Sequence, residues 1–531
     1  MINERKQENN AGEKVALKAP FMGTSGGVSS EHPLASVAGQ KVLLEGGNAF
    51  DAAIATSLTL SVTQPHLGSL GSDLFALLYE ASSGKVHCIN ASGWAPRKLS
   101  LETLRSEGRN SIPAESPYSV VVPGMIDGLN KIQQKFCTFT FRRLAEDSII
   151  IAEKGFPVSF GLHKAIQRNS SRLTEPLAKD LFYKGGKPLT LGGLLVQKSL
   201  AETLKSVASD PRFFYEGRIP ERICEYLGAK GGVHGVDDFA EYEAEWVEPL
   251  KVAYRDLDVY EVPPNSQGAT TLMLLNILEN FDINKLGAFN DGRIHLFVEA
   301  AKKAYADKNL YLADPRFVKI PLEKILAKGH AKELASSVKF DGMSDGESLK
   351  PGDTTNFIVF DKWGNVVSAI QSIYYSFGSA LMEPKTGIIL NCRGTHFTQT
   401  GANKLEPRKR PLHTLSSVIA TSKEEEVFAF GVSGGDYRPQ QHVLLLTNLV
   451  DYGMNLQEAV DAPRFLWNGG KHVIVEAGFK RLRSLNKLGY ELVRQKHLGG
   501  TGVAHCGMRK GKVTVLSADV RGDGIPMGPN T

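Results

Sequence analysis

Cysteine is scarce in this sequence, and its distribution does not suggest covalent cross-links. Five cysteines occur in 531 residues, at positions 88, 137, 224, 392 and 506. Their number is odd and no Cys-x-x-Cys pair occurs, which argues against a disulfide framework and against a structural zinc site. This usage fits a reducing compartment, and we expect a cytoplasmic protein.

Long apolar runs and a strong charge of one sign are also missing. The best apolar window, AAIATSLTLSV at residues 52–62, is too short to span a bilayer, and the polar stretch 1–18 contains no apolar core of a secretory signal. The net charge is only +5, with Lys and Arg spread along the chain, unlike the basic patch of a nucleic-acid-binding protein. We therefore expect neither a membrane nor a nucleic acid as a partner.

Motifs for cofactors and metals are absent as well. The stretch HLGSLGSDLF at residues 66–75 lacks the G-x-G-x-x-G spacing of a dinucleotide site. Four histidines are candidates for a metal cluster, but no H-x-x-x-H or H-E-x-x-H spacing links them, and each is better explained as a separate polar contact: His66, His396, His413 and His442. We expect no cofactor and no metal.

The sequence does contain enough apolar residues for a large core, 42% of the chain. Up to residue 353 the patterns are mainly helical. We predict a loosely attached segment at 1–20, a buried helix at 46–65, a β-hairpin at 73–92 with its turn at 82–84, mainly helices at 125–230, two strands within 246–264, and helices at 270–281 and 292–312. The polar stretch SDGESLKPGD at 344–353 is the best candidate for an exposed, cleavable connection.

After Asp353 the sequence becomes richer in strands. The predicted elements are strands at 357–360 and 366–375 around a tight turn at 361–365, a strand at 387–391, a strand at 427–435 followed by a helix at 439–453, and strands at 472–477 and 512–520. Strands and helices do not alternate in a βαβ rhythm, and no internal repeat occurs. Layered sheets with helices outside are therefore favoured over a doubly wound sheet.

GVSGG at residues 431–435 has two interpretations. It satisfies G-x-S-x-G, the nucleophile elbow of α/β-hydrolases, with Ser433 between a predicted strand and a helix. The histidine partner would then lie downstream, among His442, His472, His497 and His505. Alternatively, Gly434 and Gly435 let backbone N–H groups approach a ligand oxygen closely, as an oxyanion hole requires.

PGDTTNFIVF at residues 351–360 contains a second candidate nucleophile. A threonine hydroxyl is a poor nucleophile without a base, but a free α-amino group has a pKa of about 7.7–8.0 and is partly neutral at physiological pH. If the Asp353–Thr354 peptide bond is cut, Thr354 carries hydroxyl and base on one residue, held by the strand that follows. The simpler alternative is an ordinary turn that enters a strand.

A series of motifs in fixed order gives the sequence a resemblance to a known family. They include GGNAFDAAIA, PHLGSLGSDLFAL, SVVVPGMIDGL, AEKGFPVS, VYEVPPNSQG, GDTTNFIVFDKWGNVVSAIQS, RKRPLHTLS, GVSGGD and DAPRF. From about residue 24 to the end, the chain resembles the gamma-glutamyltranspeptidase family of N-terminal-nucleophile hydrolases, including its cephalosporin-acylase-like and oxamate-amidohydrolase-like branches.

The resemblance implies a proenzyme with an α+β fold, a four-layer αββα sandwich, that cuts itself between Asp353 and Thr354. A large chain of residues 1–353 and a small chain of residues 354–531 would share this core as a heterodimer, and a dimer of heterodimers is one option for the assembly. The hydroxyl of Thr354 would attack its own preceding carbonyl and afterwards substrate amides. Water or an acceptor amine would then resolve the acyl-enzyme.

The resemblance also assigns the catalytic residues. Thr354 matches the family nucleophile, and Ser372 matches a threonine that hydrogen-bonds this nucleophile. Gly434 and Gly435 match the oxyanion-hole pair, which gives the glycines of GVSGG, rather than its serine, the proposed role.

The substrate pocket departs from the family pattern. The positions that would read a glutamyl head group, or that lie beside them, are occupied here by Ser92, Tyr374, Arg393, His396, His413 and Thr414. His396 stands where an aspartate would pair with an α-ammonium, which exchanges an acceptor for a frequent donor. Arg393 would clamp a carboxylate, assisted by His396 or His413. The alternatives are a structural salt bridge for Arg393 and a substitute role for Arg97.

These residues imply a self-cleaving threonine amidohydrolase or acyltransferase for a small amide that bears a carboxylate but no α-ammonium, such as oxamate or a dicarboxylic monoamide. The first alternative is a genuine gamma-glutamyltranspeptidase or glutathione hydrolase with a rearranged head-group site, and the second is a non-catalytic relative. The resemblance gives the loop 409–411 a place at the approach to a substrate wall, although a basic run such as 404–413 is more often a solvated loop.

Overall fold

Neighbouring side chains of the strand Thr355–Asp361 point into two different cores. Phe357 and Val359 pack with buried helices, whereas Ile358 and Phe360 pack against a second sheet. Because successive side chains of a strand face opposite sides, this strand lies between a helix layer and a sheet. The computed structural model describes residues 17–347, 349, 352–479, 482–496 and 500–529.

The first sheet is antiparallel and contains the strand after Asp353 in its interior. Its strands, in spatial order, are Ile525–Met527, Gly26–Ser30, Thr355–Asp361, Val366–Ser372, Asp73–Glu80, Lys85–Ala91 and Glu245–Val247. Thr355 pairs with Gln371 across the hairpin, and Ser372 pairs with Asp73 on the next strand. The register therefore brings the ends of three strands together beside the Asp353–Thr354 bond.

The second sheet is also antiparallel and packs face to face on the first. Its strands, in spatial order, are Phe21–Gly23, Val513–Ala518, Ala504–Lys510, Val427–Val432, Val418–Ser422, Leu257–Glu261 and Leu250–Tyr254. Buried apolar side chains fill the space between the sheets, among them Phe75, Ile370, Ile419 and Leu516. Such interdigitated inner faces are the usual basis of sheet-on-sheet packing.

Helices share a core with the outer face of each sheet. Those on the first sheet are Pro33–Leu44, Ala49–Thr63, Met125–Phe136, Phe141–Lys154, Phe160–Arg168, Pro176–Phe182, Lys198–Ser209 and Arg218–Gly228. Those on the second are Gly268–Leu278, Asp291–Tyr311, Leu322–Ile325, Lys328–Ser336, Arg438–Val450, Leu456–Asp461 and Arg483–Lys487. The result is the predicted α+β fold, a four-layer αββα sandwich.

Smaller elements surround these layers. They include the helices Leu101–Ser106 and Val236–Ala240, a sheet of Phe465–Trp467, His472–Glu476 and Glu491–Gln495, and two short pairs, Phe156–Pro157 with Leu194–Leu195 and Tyr183–Lys184 with Lys187–Pro188.

The central helix Ala49–Thr63 follows from its local sequence. Asn48 accepts a hydrogen bond from the backbone N–H of Asp51, and the Asp51 carboxylate accepts one from the backbone N–H of Asn48, which is a capping box. Every residue of this helix is buried. Gly39 on the neighbouring helix leaves no room for a Cβ beside Thr56, so small residues bring the two helices close together.

One prediction of local structure is wrong, and another, the exposed connection, is correct only for part of its residues, such as Asp345, Glu347 and Asp353. Residues 387–391 do not form a strand ladder. Ile389 and Leu390 make only isolated β-bridges, because the turns on either side of this segment determine its backbone path. The connection 344–353 is not exposed throughout, since the Ser344 carbonyl accepts a hydrogen bond from Lys302 Nζ at 2.6 Å and Gly346 packs on Trp467.

The expectation that the basic run 404–413 is solvated is also wrong. Lys409 and Arg410 are buried. Arg410 Nη1 donates to Glu245 Oε2 at 2.7 Å, and its backbone N–H donates to Asp314 Oδ2 at 2.8 Å. The run is therefore a structured segment in which Arg410 pairs with a distant carboxylate, whereas Lys409 pairs with Glu406 inside the run itself.

Several further observations concern features singled out in the sequence. All five cysteines are unpaired. No helix among the described residues combines the length and the apolar character needed to cross a bilayer. Within the same residues, no group of three or more His, Cys, Asp or Glu side chains is arranged to hold a metal ion. Residues 1–16 of the predicted loose segment lie outside the described residues, as do Ser348, Lys350 and Pro351 of the connection and the candidate His497.

Candidate active site

The carbonyl group of Asp353 is held by two hydroxyl groups. Thr354 is only 2% exposed, and its Oγ1 donates to the Asp353 carbonyl oxygen at 2.7 Å. Ser372 Oγ, at the end of the adjacent strand, donates to the same oxygen at 2.7 Å. Hydrogen-bond donors aimed at a carbonyl oxygen stabilise the negative charge that develops there when the carbon is attacked.

Ser372 is oriented by the turn that follows its strand. Tyr374 has φ +82°, a left-handed conformation that is uncommon for a residue with a side chain. Its backbone N–H donates to Ser372 Oγ at 2.7 Å, and its carbonyl accepts from the Asp353 N–H at 2.8 Å. In the uncut chain Ser372 thus bonds to the Asp353 carbonyl, and not to the nucleophile hydroxyl as expected from the resemblance.

Arg438 also contacts the candidate nucleophile, and the sequence analysis missed it. It is the first residue of the helix Arg438–Val450 and is fully buried. Its Nη2 donates to Thr354 Oγ1 at 3.0 Å, and its Nε donates to the Val432 carbonyl at 2.6 Å. Burial lowers the pKa of this guanidinium to about 9, and Arg393 acts in the same direction. The one feature of the sequence that could have indicated Arg438 is its position three residues after the glycine pair.

Gly434 and Gly435 connect the strand Val427–Val432 to this helix. Their φ values are +138° and +59°, in the region that glycine adopts without strain. Neither N–H has a hydrogen-bond acceptor among the described residues. A Cβ on Gly352 would lie 3.2 Å from Gly435 Cα and 3.0 Å from Tyr374 Cε2. The segment before the Asp353–Thr354 bond therefore lies directly against the glycine pair.

The surroundings of Ser433 do not support the nucleophile elbow. Its Oγ accepts from the Val503 N–H at 2.8 Å. The described histidines considered as its partner are engaged elsewhere: His442 with Glu261, His505 with Ser29, and His472 with Glu491.

A second group of buried ionisable side chains consists of Asp73, Arg393 and His413. Leu415 N–H donates to His413 Nδ1 at 3.3 Å, which places the proton of the neutral ring on Nε2, and this Nε2 donates to Asp73 Oδ2 at 2.8 Å. Burial lowers the pKa of His413 well below its usual value, and Arg393 adds to this effect. Arg393 Nε is 3.7 Å from Asp73 Oδ2.

Asp73 compensates the charge of Arg393 only in part. Burial raises the pKa of Asp73 to about 7, although Arg393 opposes the shift, and the 3.7 Å from Arg393 Nε to Asp73 Oδ2 is longer than a hydrogen bond. Arg393 Nη1 donates to Thr414 Oγ1 at 3.0 Å, while its Nε and Nη2 have no hydrogen-bond partner among the described residues. Buried polar groups without partners are rare, and a guanidinium in this state is suited to a carboxylate ligand.

Tyr374 contacts both the Arg393 guanidinium and the residue before the scissile bond. Its ring centre lies 4.5 Å from the Arg393 guanidinium carbon, 4.3 Å from the His396 ring and 4.2 Å from the Tyr375 ring. The structure thus places Arg393 and His396 next to Tyr374, and the resemblance assigns all three to the substrate pocket.

Ser92 and Arg97 do not face this group directly. Ser92 Oγ donates to Asn90 Oδ1 at 2.7 Å and accepts from Asn265 Nδ2 at 3.2 Å, in a buried amide network. That network reaches the pocket through the Asn265 carbonyl, which accepts from the His413 N–H at 2.7 Å. Arg97 is exposed and pairs with Glu241, so the alternative that it replaces a buried arginine is wrong.

Comparison with known proteins places the chain in a family. A sequence profile described as Gamma-glutamyltranspeptidase matches residues 35–528. The chain belongs to the gamma-glutamyltranspeptidase family. Membership confirms the resemblance found in the sequence.

Individual relatives agree with this assignment. The chain is 37% identical to the glutathione hydrolase-like YwrD proenzyme of Bacillus subtilis, over 85% of this chain and 86% of the relative. It is 31% identical to the oxamate amidohydrolase proenzyme of Klebsiella pneumoniae, over 83% and 85%. The crystal structure of a cephalosporin acylase from Bacillus halodurans superposes with a TM-score of 0.90 at 31% identity, over 99% of both chains. The protein is therefore an enzyme, a self-processing amidohydrolase of the N-terminal-nucleophile type.

Proposed function

We propose that the chain is cut between Asp353 and Thr354 by Thr354 itself. Attack of Thr354 Oγ1 on the Asp353 carbonyl carbon forms an ester and breaks the peptide bond, and the hydroxyl proton ends on the departing nitrogen. Water then hydrolyses the ester, leaving a carboxylate on Asp353 and a free α-amine on Thr354. Ser372 Oγ, which donates to the scissile carbonyl oxygen at 2.7 Å, supports this step as an oxyanion donor, and the 2.7 Å contact of Thr354 Oγ1 with the same oxygen keeps the nucleophile beside the carbonyl group.

The freed Thr354 then acts on amides. Its α-amine takes the proton of Oγ1, and Oγ1 attacks the substrate carbonyl to give an acyl-enzyme. The N–H groups of Gly434 and Gly435 stabilise the oxyanion, which their lack of acceptors supports. The α-ammonium returns its proton to the leaving amine, and water or an acceptor amine resolves the ester. Departure of Gly352 from its place against Gly435 opens room for the substrate.

The preferred substrate is a small amide that bears a carboxylate but no α-ammonium. The observation that carries this proposal is Arg393, which is buried, only partly compensated by Asp73, and has two nitrogens without partners. Its guanidinium attracts a carboxylate and repels an ammonium group. The name of the Klebsiella relative supports the proposal, because oxamate is an amide of this kind. Tyr374, His396, His413 and Thr414 would complete the pocket around the acyl group.

The second candidate is a glutathione hydrolase or gamma-glutamyltranspeptidase. The Bacillus subtilis relative, named as glutathione hydrolase-like, favours it. The two candidates differ in whether an α-ammonium is accepted beside Arg393.

A matched pair of chromogenic substrates separates the candidates. Glutaryl-p-nitroanilide and γ-glutamyl-p-nitroanilide differ only in the α-ammonium. The α-ammonium of the γ-glutamyl compound would be repelled by the Arg393 guanidinium about 6 Å away. This repulsion predicts a kcat/KM about 100-fold higher for the glutaryl compound. Faster turnover of the γ-glutamyl compound, stimulated by glycylglycine, supports the second candidate. If oxamate releases ammonia and neither anilide is turned over, the proposed substrates are limited to amides with the shortest acyl groups. Thr354→Ala serves as the inactive control in every assay.

We also propose that the chains 1–353 and 354–531 stay associated in a cytoplasmic heterodimer. The strand Thr355–Asp361 pairs with Gly26–Ser30, and Val366–Ser372 pairs with Asp73–Glu80, so separation would open the first sheet. Co-elution of both chains in native gel filtration tests the association.

A further inference from the structure

Arg438 has an unusual combination of contacts for a buried cation. Its guanidinium is fully buried, donates one hydrogen bond to Thr354 Oγ1 and one to the Val432 carbonyl, and leaves Nη1 without a partner among the described residues. Burial of a charge without full compensation is costly. If this residue only had to hold the Val432 carbonyl, a neutral side chain such as glutamine would do so at lower cost.

We infer that Arg438 is a positioning residue for Thr354, which orients the hydroxyl in the uncut chain and afterwards keeps the new α-amine in its neutral, proton-accepting form. This inference rests on the proposed role of Thr354 as nucleophile. It assigns to Arg438 a function that neither the motif pattern nor the pocket residues indicated.

The orienting step follows from the direction of the hydrogen bonds. Because Arg438 Nη2 donates to Thr354 Oγ1, the hydroxyl oxygen is an acceptor on that side and its own proton points to the Asp353 carbonyl. A guanidinium has no acceptor capacity, so this direction cannot reverse. The oxygen is thereby held in one orientation before the attack.

The electrostatic step follows from the short reach of threonine. Covalent geometry keeps the Thr354 nitrogen within about 4 Å of its own Oγ1, and therefore within about 7 Å of Arg438 Nη2. A like charge at this distance disfavours the ammonium form, by about 1 to 2 pH units at an intermediate dielectric constant. An α-amine with a lowered pKa is a ready base at neutral pH.

The other charged groups around Arg438 do not cancel this effect. Arg393 adds positive charge, and Asp436, which acts in the opposite direction, is itself paired with Lys308 at 3.1 Å and therefore offsets the effect only in part. Burial raises the pKa of Glu261 well above its usual value, which weakens its negative charge, and burial lowers the pKa of His442 beside it well below the usual value.

Groups on the remaining sides of this region give the same balance. Burial lowers the pKa of His413 and raises the pKa of Tyr305, which favours the neutral form of both, and burial also raises the pKa of Glu31 well above its usual value. Burial raises the pKa of Asp73 to about 7, and this carboxyl is paired with Arg393 at 3.7 Å. Arg438 is thus the charged group in hydrogen-bond contact with Thr354 Oγ1, and the carboxylate that the cut leaves on Asp353 opposes its effect only in part.

The test is the pH dependence of the processed enzyme. Arg438→Met and Arg438→Gln remove the charge, and Arg438→Lys keeps it. We expect the acid limb of kcat/KM for glutaryl-p-nitroanilide, or for oxamate if only oxamate is turned over, to move up by about 1 to 2 pH units in the neutral variants, and to stay within about 0.5 unit of wild type in the lysine variant. Asp436→Asn, which removes a nearby anion and keeps the side-chain shape, should move the limb down by a smaller amount.

Three outcomes decide the inference. A neutral variant that loses activity equally at every pH, with its acid limb unmoved, contradicts it and leaves Arg438 a structural role. If neither neutral variant yields folded, processed enzyme, the Asp436→Asn profile decides: a downward shift supports the inference and an unchanged limb contradicts it. A wild-type enzyme that is never cut, or that keeps its activity in Thr354→Ala, contradicts the proposed function itself, and this result is distinct from an unmoved limb in an active enzyme.

Discussion

The reacting centre and the pocket beside it are built in different ways. At the reacting centre the backbone fixes each group: Thr354 directly precedes the strand Thr355–Asp361, Ser372 is held by the left-handed turn after its own strand, and the glycine pair has positive φ. In the pocket, side chains from distant segments hold one another, as Asp73 does with His413 and Arg393.

This difference separates the chemistry from the choice of substrate. A centre built from backbone and short hydroxyl side chains tolerates few changes, because each group depends on a local conformation. A pocket built from paired side chains changes its preference when one partner is replaced. Substitutions in the two regions should therefore have different kinetic signatures, which the following predictions use.

The largest effect is expected for Thr354→Ala. Without the hydroxyl there is no nucleophile for either step, so the chain should remain full length and inactive. Denaturing gel electrophoresis and the anilide assay measure both. Thr354→Ser is the matched control and should still be cut, because it keeps both hydroxyl and amine. Cleavage of the alanine variant at residue 353 would show that another group makes the cut.

Ser372→Ala should slow the cut without abolishing it. Removal of one donor to the Asp353 carbonyl oxygen should reduce the rate of self-cleavage by about 100- to 1,000-fold, as for other oxyanion donors. The time course of fragment formation on a gel measures this rate. Ser372→Thr should restore most of it. A normal rate in the alanine variant would mean that the 2.7 Å contact does not contribute to the cut.

Arg393→Gln should change substrate preference more than it changes self-cleavage. Loss of the guanidinium should lower kcat/KM for glutaryl-p-nitroanilide by about 100-fold, mainly through KM, because a charge-assisted pair with the carboxylate is lost. The γ-glutamyl compound should lose much less. Equal losses for both substrates, or a loss confined to kcat, would contradict a carboxylate-binding role.

Arg97→Gln should have the smallest effect and is the matched control for Arg393. Arg97 is exposed and pairs with Glu241 on the surface, and such pairs contribute about 0–1 kcal/mol to stability. Kinetic constants should stay within about twofold of wild type, since surface substitutions of this kind are usually near neutral. A large rise in KM for the glutaryl compound would place Arg97 in the pocket after all.

Local patterns in the sequence predicted much of the fold. The hairpin around residues 361–365 and the helix within 46–65 were predicted correctly, because alternation, turn residues and caps act over short distances. The burial of Arg410 was not predictable, since it depends on Glu245, a carboxylate 165 positions away. A basic run gives no sign of such a partner.

The same contrast between local patterns and contacts of distant residues applies to the candidate site. Short motifs made Thr354 and the glycine pair candidates, and the resemblance of the whole chain assigned their roles, whereas the contact between Arg438 and Thr354 depends on how the two sheets pack across 84 positions of sequence. The hydrogen bond from Ser372 to the Asp353 carbonyl also depends on the positive φ of Tyr374. The sequence does not indicate this backbone conformation, because an aromatic residue after a strand usually has a negative φ.

The central claim is that Thr354 becomes a new N-terminus. N-terminal sequencing of the fragments of purified wild-type protein on a denaturing gel tests it most directly. The account predicts two chains, of which the smaller begins Thr-Thr-Asn-Phe and spans residues 354–531. A single full-length chain under every condition of incubation, or a smaller fragment with a different first residue, would contradict it.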